Sequence, residues 1–189
     1  MKKALLVVDV QNDFCDGGAL AIPFANDIIK PINQIMQTGN YDLIIATQDW
    51  HPQNHSSFKA NKNNGIWPTH CVQDTYGSQF HANLDLSQID QVIRKGENPE
   101  IDSYSGFYDN DRTSKTELED FLNTNYITNV DIAGLALDYC VKYTAEDAVL
   151  LGFNTTILID CCKAVDVRNN KLLESFNKKV QFKFSQSGN

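Results

Sequence analysis

Six short apolar runs rich in Val, Ile, Leu and Thr recur along the chain, and helical stretches lie between them. The runs are "ALLVVDV" (4–10), "LIIATQ" (43–48), "QVIRK" (91–95), "VDIAGLAL" (130–137), "TTILIDC" (155–161) and "VQFKF" (180–184). Runs of this length, continuously apolar at their centres, read as strands buried on both faces. Helical patterns over 25–38, 115–124, 140–151 and 169–178 separate several of them. That alternation builds parallel βαβ units. The expected fold class is α/β, with a six-stranded, mainly parallel sheet. At 189 residues the chain fits one domain, spanning 1–189. The tail "SQSGN" is expected to be frayed.

An open parallel sheet gathers ligands at the carboxyl ends of its strands. Asp9 stands at the end of the first run, Lys95 at the end of the third and Cys140 just beyond the fourth, while Asp49 and His51 follow the second. Four distant segments thus bring reactive side chains to one edge. The stretch from Trp50 to Gln91 holds Pro, Gly, Asn and His without sustained periodicity. Loops that long inside a compact domain are commonly functional.

Charge and composition remove several classes. A net charge of -8 without a basic stripe argues against a nucleic-acid partner. No segment approaches the ~18 apolar residues of a membrane span. Asp9 and Asp13 interrupt the amino-terminal apolar run too early for a secretory signal. The five cysteines are odd in number and scattered, which fits reduced thiols and a cytoplasmic location.

A thiol near neutral pH needs an electrostatic reason to ionise or a base to take its proton. A helix start at Cys140 offers unpaired N–H groups and a dipole that favour the thiolate. Lys95 adds a cation, and Asp9 can accept the thiol proton and return it to a leaving amine. Each residue also has a plainer reading: Cys140 as a small buried hydrophobe, Asp9 as a turn residue, "RKG" as a strand exit. Their joint placement favours chemistry. Cys71, Cys161 and Cys162 read as structural thiols, and Cys15 lies in a Gly-rich loop.

Three of the four histidines, His51, His55 and His70, fall in the long loop. With Asp49 they form an N/O donor set suited to Zn²⁺, Fe²⁺ or Mn²⁺. In an extended segment Asp49 and His51 point to the same side. His55 reads equally well as a turn residue, and His81 has no partner in view.

The motifs "VVDVQNDF", "TQDWHPQNHSSF", "WPTHCVQDTYGSQFH", "RKG", "DSYSGFYDN" and "GLALDYCVKYTAEDA" occur in this order over nearly the whole chain. So arranged, the chain resembles the nicotinamidases of the isochorismatase-like cysteine hydrolase superfamily. The resemblance implies a three-layer α/β/α fold in one domain, with a metal-binding loop region over about residues 49–90. It implies hydrolysis of nicotinamide to nicotinate and ammonia through a cysteine thioester, with side activity on pyrazinamide. Carried over by position, Cys140 is the nucleophile, Asp9 the base and Lys95 its ion-pair partner. Asp49, His51 and His70 become ligands of one divalent ion, zinc in the first place and iron or manganese otherwise, which anchors the pyridine nitrogen. Phe14, Trp67 and Tyr104 wall the ring. A cis peptide joins Leu135 to Ala136, and the N–H groups of Ala136 and Cys140 form the oxyanion hole. Ala60 stands where some members carry a ligand Glu, so His55 or water is left to complete the coordination. The implied partner is the small molecule alone, and a homo-oligomer is compatible with the sequence.

Four other readings compete. N-carbamoyl amide hydrolases share the triad but generally lack the Asp49–His51 pair, and isochorismate cleavage does not need the cysteine. A non-catalytic metal-binding protein or interaction domain would leave Asp9, Lys95 and Cys140 converging without purpose.

Overall fold

The computed structural model describes residues 1–61 and 65–185. Residues 62–64 of the long loop and the last four residues of the "SQSGN" tail lie outside them. Six strands, β1 (Lys2–Val8), β2 (Leu43–Asp49), β3 (Gln91–Lys95), β4 (Ile127–Leu135), β5 (Asn154–Lys163) and β6 (Gln181–Lys183), form one sheet in the order β3-β2-β1-β4-β5-β6. Every neighbouring pair is parallel, so the sheet expected to be mainly parallel is parallel throughout.

The continuous apolar run of β1 is explained by its place near the middle of that sheet. Ala4 through Val8 have no solvent exposure, and successive side chains go to opposite faces. Leu5 and Val7 pack with Ile29, Ile32, Ile35 and Met36 of α1 (Ile29–Thr38). Ala4, Leu6 and Val8 join Leu118 and Leu122 of α2 (Leu118–Thr124) and Val141, Ala145 and Ala148 of α3 (Cys140–Leu150). Helices therefore cover both faces, giving the expected three layers. Among the described residues, no helix is long and apolar enough to cross a membrane.

Most element boundaries shift by one to three residues from expectation, and two shifts have plain local reasons. β1 stops at Val8 because Asp9 turns the chain with φ 50°. The helix expected from residue 25 begins as a 3-10 turn, Ala25–Ile28, and becomes α-helical at Ile29. Pro31 then falls in the first helical turn, where its missing N–H costs nothing.

The helix expected over 169–178 is not formed; only the 3-10 turn Leu173–Ser175 appears there. Short polar side chains compete with the helical pattern along this stretch. The Asp166 carboxylate accepts from the Arg168 N–H at 3.0 Å, Asn169 Oδ1 from Lys171 N–H at 3.2 Å and Asn177 Oδ1 from Lys179 N–H at 3.0 Å.

The chain runs β1, β2, β3 outward on one side and β4, β5, β6 on the other, so the crevice between β1 and β4 is the switch point where such sheets bind ligands. Close packing of these two strands depends on Gly134, which pairs with Val8. Its φ is 121°, and a Cβ there would lie 2.1 Å from the Val8 carbonyl oxygen. Gly134→Ala should therefore destabilise the fold by more than ~2 kcal/mol, read as a lowered thermal midpoint. An unchanged midpoint would mean that β1 and β4 separate freely.

Candidate active site

All strands point the same way, so the last residues of β1, β2 and β3 and the first of α3 meet at one edge. The centre of that meeting is Lys95, whose side chain has no solvent exposure. Its Nζ lies 3.0 Å from Asp9 Oδ2, 3.1 Å from the Ser103 carbonyl oxygen and 3.5 Å from Cys140 Sγ, and it also donates to the Asp49 carboxylate. Asp9 Oδ1 accepts a 2.6 Å hydrogen bond from the Thr47 hydroxyl. Oxygen atoms of Asp9 and Asp49 and the Cys140 sulfur lie within 4.8 Å of one another.

Two carboxylates around one ammonium do not behave alike. Burial works against a charged Lys95, but Asp49 and Asp9 outweigh it and hold the ammonium well above the usual lysine range. Burial also opposes ionisation of Asp49, yet Lys95 and His51 prevail and lower it. For Asp9 burial wins over the attraction of Lys95, so its carboxyl is raised. Asp49 is thus the permanent counter-ion, and Asp9 is the carboxyl able to carry a proton.

Cys140 departs from the expectation of a thiolate favoured by its helix start. Burial pushes the thiol well above its ordinary range, and the nearby Lys95 does not compensate. The thiol is held in its neutral form, with a carboxylate oxygen of Asp9 within 4.8 Å to receive its proton. Such a thiol depends on a base rather than on standing ionisation.

Beside this cluster the loop after β2 folds back around Phe58, which is fully buried. His51 and His70 both pack on that ring, with centroids 5.7 Å and 5.4 Å away. His51 Nδ1 lies 2.8 Å from the Gly96 carbonyl oxygen and His70 Nδ1 2.8 Å from that of Pro68. Nδ1 of each is thereby committed to a backbone carbonyl and Nε2 is the nitrogen left for an ion, the arrangement that orients metal-binding histidines. Burial opposes charge on His51, but Asp49 outweighs it and raises the imidazole, so an ion would displace a proton from its Nε2. The glycine of "RKG" has a structural reason: a Cβ on Gly96, φ 68°, would strike the His51 ring at 2.3 Å.

Donor atoms of Asp49, His51 and His70 lie within 4.8 Å of one another. His51 Nε2 is 3.5 Å from Asp49 Oδ2. Burial and the neighbouring His51 hold His70 at about 4, so it stays neutral and able to ligate. One carboxylate oxygen and two imidazole nitrogens on adjoining faces fit a divalent ion of the zinc or iron type. His55 is differently employed. Its Nδ1 meets the Ser57 hydroxyl at 2.7 Å, its Nε2 the Ile101 carbonyl at 3.1 Å, and its ring stacks on His51 at 4.1 Å. Both nitrogens are taken, which leaves His55 as a buttress for His51.

A pocket opens onto Cys140 between Phe14, Trp67, Tyr104 and Ala136, all four expected there, together with Asp49 and His70. Leu20, Ile22, Asp102, Ser103, Tyr139 and Val165 complete it and were not anticipated. Trp67 Nε1 donates to the Tyr104 hydroxyl at 3.2 Å, and Tyr139 packs edge-on against Trp67 at 4.9 Å. The Leu135–Ala136 peptide is cis, as the resemblance implied. Among the described residues, neither the Ala136 nor the Cys140 N–H donates to a protein acceptor. Gln11 was also missed: its amide accepts from Asp49 N–H and donates to the Asp49 and Ser78 carbonyls, each at 2.8 Å. That clamp holds the end of β2 to the chain after β1. His81, Cys71, Cys161 and Cys162 take no part, and the three cysteines are buried in packing.

Comparison with known proteins identifies relatives along nearly the whole chain. The isochorismatase domain model matches residues 3–176. The nicotinamidase of Escherichia coli (strain K12) is 41% identical over 189 residues, covering 92% of this chain and 89% of that protein. The solved Acinetobacter baumanii nicotinamidase and pyrazinamidase superposes with a TM-score of 0.92 at 38% identity, covering 97% of this chain and 96% of that one. A Pyrococcus horikoshii pyrazinamidase solved in complex with zinc has a TM-score of 0.85 at 35% identity, over 97% and 99% of the two chains. Sequence and fold together place this chain in the isochorismatase domain family, among its nicotinamidase relatives.

Proposed function

We propose that the protein is a nicotinamidase, hydrolysing nicotinamide to nicotinate and ammonia, with pyrazinamide as a second substrate. The observation that carries this reading is the buried cluster in which one ammonium sits 3.0 Å from the Asp9 carboxylate and 3.5 Å from the Cys140 sulfur, at the floor of an aromatic pocket. The relatives named nicotinamidase and pyrazinamidase support the choice of substrate.

In this scheme the flat pyridine ring lies between Phe14, Trp67 and Tyr104, with its carboxamide carbon over Cys140. Asp9 takes the thiol proton as the sulfur attacks. The carbonyl oxygen becomes an oxyanion facing the Ala136 and Cys140 N–H groups, a contribution often of ~3 kcal/mol. The tetrahedral centre collapses, Asp9 returns its proton to the leaving nitrogen, and ammonia departs from a thioester. Asp9 then deprotonates a water that attacks the thioester carbon. Asp9 returns its proton to the sulfur, and the product leaves as nicotinate, its acid proton passing to the released ammonia. Lys95 keeps Asp9 positioned and offsets the negative charge that moves between carboxylate and sulfur.

Asp49, His51 and His70 would hold one divalent ion, zinc first among the candidates, and a zinc-bound relative supports that choice. Bound there, the ion offers Lewis acidity toward the pyridine nitrogen and so anchors the far side of the ring. The five free cysteines support a cytoplasmic location.

Three outcomes test this function. Cys140→Ala should lower ammonia release from nicotinamide by ~10⁴-fold or more while the fold is kept; near-normal turnover would refute the scheme. Because burial raises the Cys140 thiol, its alkylation by iodoacetamide should keep accelerating from pH 6 to pH 9. A plateau below pH 8 would reveal a stabilised thiolate instead. Chelation should weaken nicotinamide binding to the Cys140→Ala protein, measured by calorimetry, and re-addition of Zn²⁺ should restore it. Equal binding with and without chelator would remove the ion from ring anchoring.

A further inference from the structure

We propose that Asp102 is the second carboxylate of the ion site, acting from the outer shell of the ion held by Asp49, His51 and His70. This inference rests on the metal part of the function proposed above and deepens it. Asp102 lines the pocket beside Cys140. A carboxylate oxygen of Asp102 and ring nitrogens of His51 and His55 lie within 4.8 Å of one another. His51 belongs to this group and to the Asp49–His51–His70 group, so the two share an imidazole. Among the described residues Asp102 makes no comparable group with Asp49 and His70, which sets it one shell farther out.

Charge gives the carboxylate its purpose. Asp49 already donates one oxygen's worth of negative charge to Lys95, leaving Oδ2 for the ion. His70 is neutral. A divalent ion at this place is therefore undercompensated by its nearest ligands, and such ions are usually supported by further carboxylates and carbonyls around them. Asp102 is partly buried, yet no Lys or Arg pairs with it among the described residues. Its Oδ1 accepts from Ser103 N–H at 2.9 Å, and, two residues on, the Tyr104 hydroxyl accepts from Trp67 at 3.2 Å. The short segment from Asp102 to Tyr104 thus runs from beside the ion site to the walls of the ring slot. In sequence it opens the motif "DSYSGFYDN", in which the resemblance gives a role to Tyr104 alone.

The test uses metal-free full-length protein titrated with Co²⁺, followed by calorimetry and visible absorption, for the native chain, Asp102→Asn, Asp102→Ala and Tyr104→Phe. Asn keeps the shape and the acceptor for Ser103 but loses the charge. Both Asp102 variants are expected to weaken Co²⁺ binding ~10- to 100-fold, with the melting temperature of the metal-free protein unchanged and Tyr104→Phe binding Co²⁺ as the native chain does. Native-like affinity in Asp102→Asn overturns the inference and leaves the proposed function standing, as does Tyr104→Phe weakening binding as much as Asp102→Asn. If the native chain itself binds no Co²⁺, the ion site of the proposed function fails and this inference falls with it.

Discussion

Lys95 is the constraint around which the edge of this sheet is organised. An ammonium withdrawn from water is costly to bury alone, and the penalty is several kcal/mol for each ion even after relaxation. Asp9, Asp49 and the Ser103 carbonyl meet that cost from three separate segments, and Cys140 is held against the same nitrogen. None of the four could be removed without leaving a partner stranded. The cluster consequently fixes the ends of β1, β2 and β3 and the loop at residue 103 in one mutual geometry.

Asp49 has two employments, and the division is visible in its atoms. Oδ1 serves the ammonium while Oδ2 faces His51. The chemistry of the sulfur and the place for an ion are thereby joined through one carboxylate whose backbone is clamped by Gln11. The histidine side is held differently, by an apolar contact. Phe58 supplies the surface on which His51, His55 and His70 all pack, so a loop with little regular structure still presents nitrogens in set directions.

Much of this was legible in the residues because it depends on short-range rules. Apolar runs gave the six strands, and parallel topology then dictated that Asp9, Asp49, Lys95 and Cys140 share an edge. What escaped had no such rule behind it. The stretch 169–178 has helical spacing, but Asp and Asn side chains satisfy the backbone locally and win. The ionisation of Cys140 was misjudged because a helix start is read from sequence and depth of burial is not. Gln11, Phe58 and Asp102 lie inside the family motifs, but their parts depend on partners 38 or more residues away or on loop packing, which the motifs do not spell out.

Parallel strands leave the opposite rim of the sheet without any of this chemistry. β1 begins there at Lys2 and reaches the reacting groups only after seven residues, roughly 23 Å of extended chain. An affinity tag or a fluorescent protein joined ahead of Met1 would consequently hang from the far side of the molecule, and immobilisation through that end leaves the mouth of the pocket facing solution.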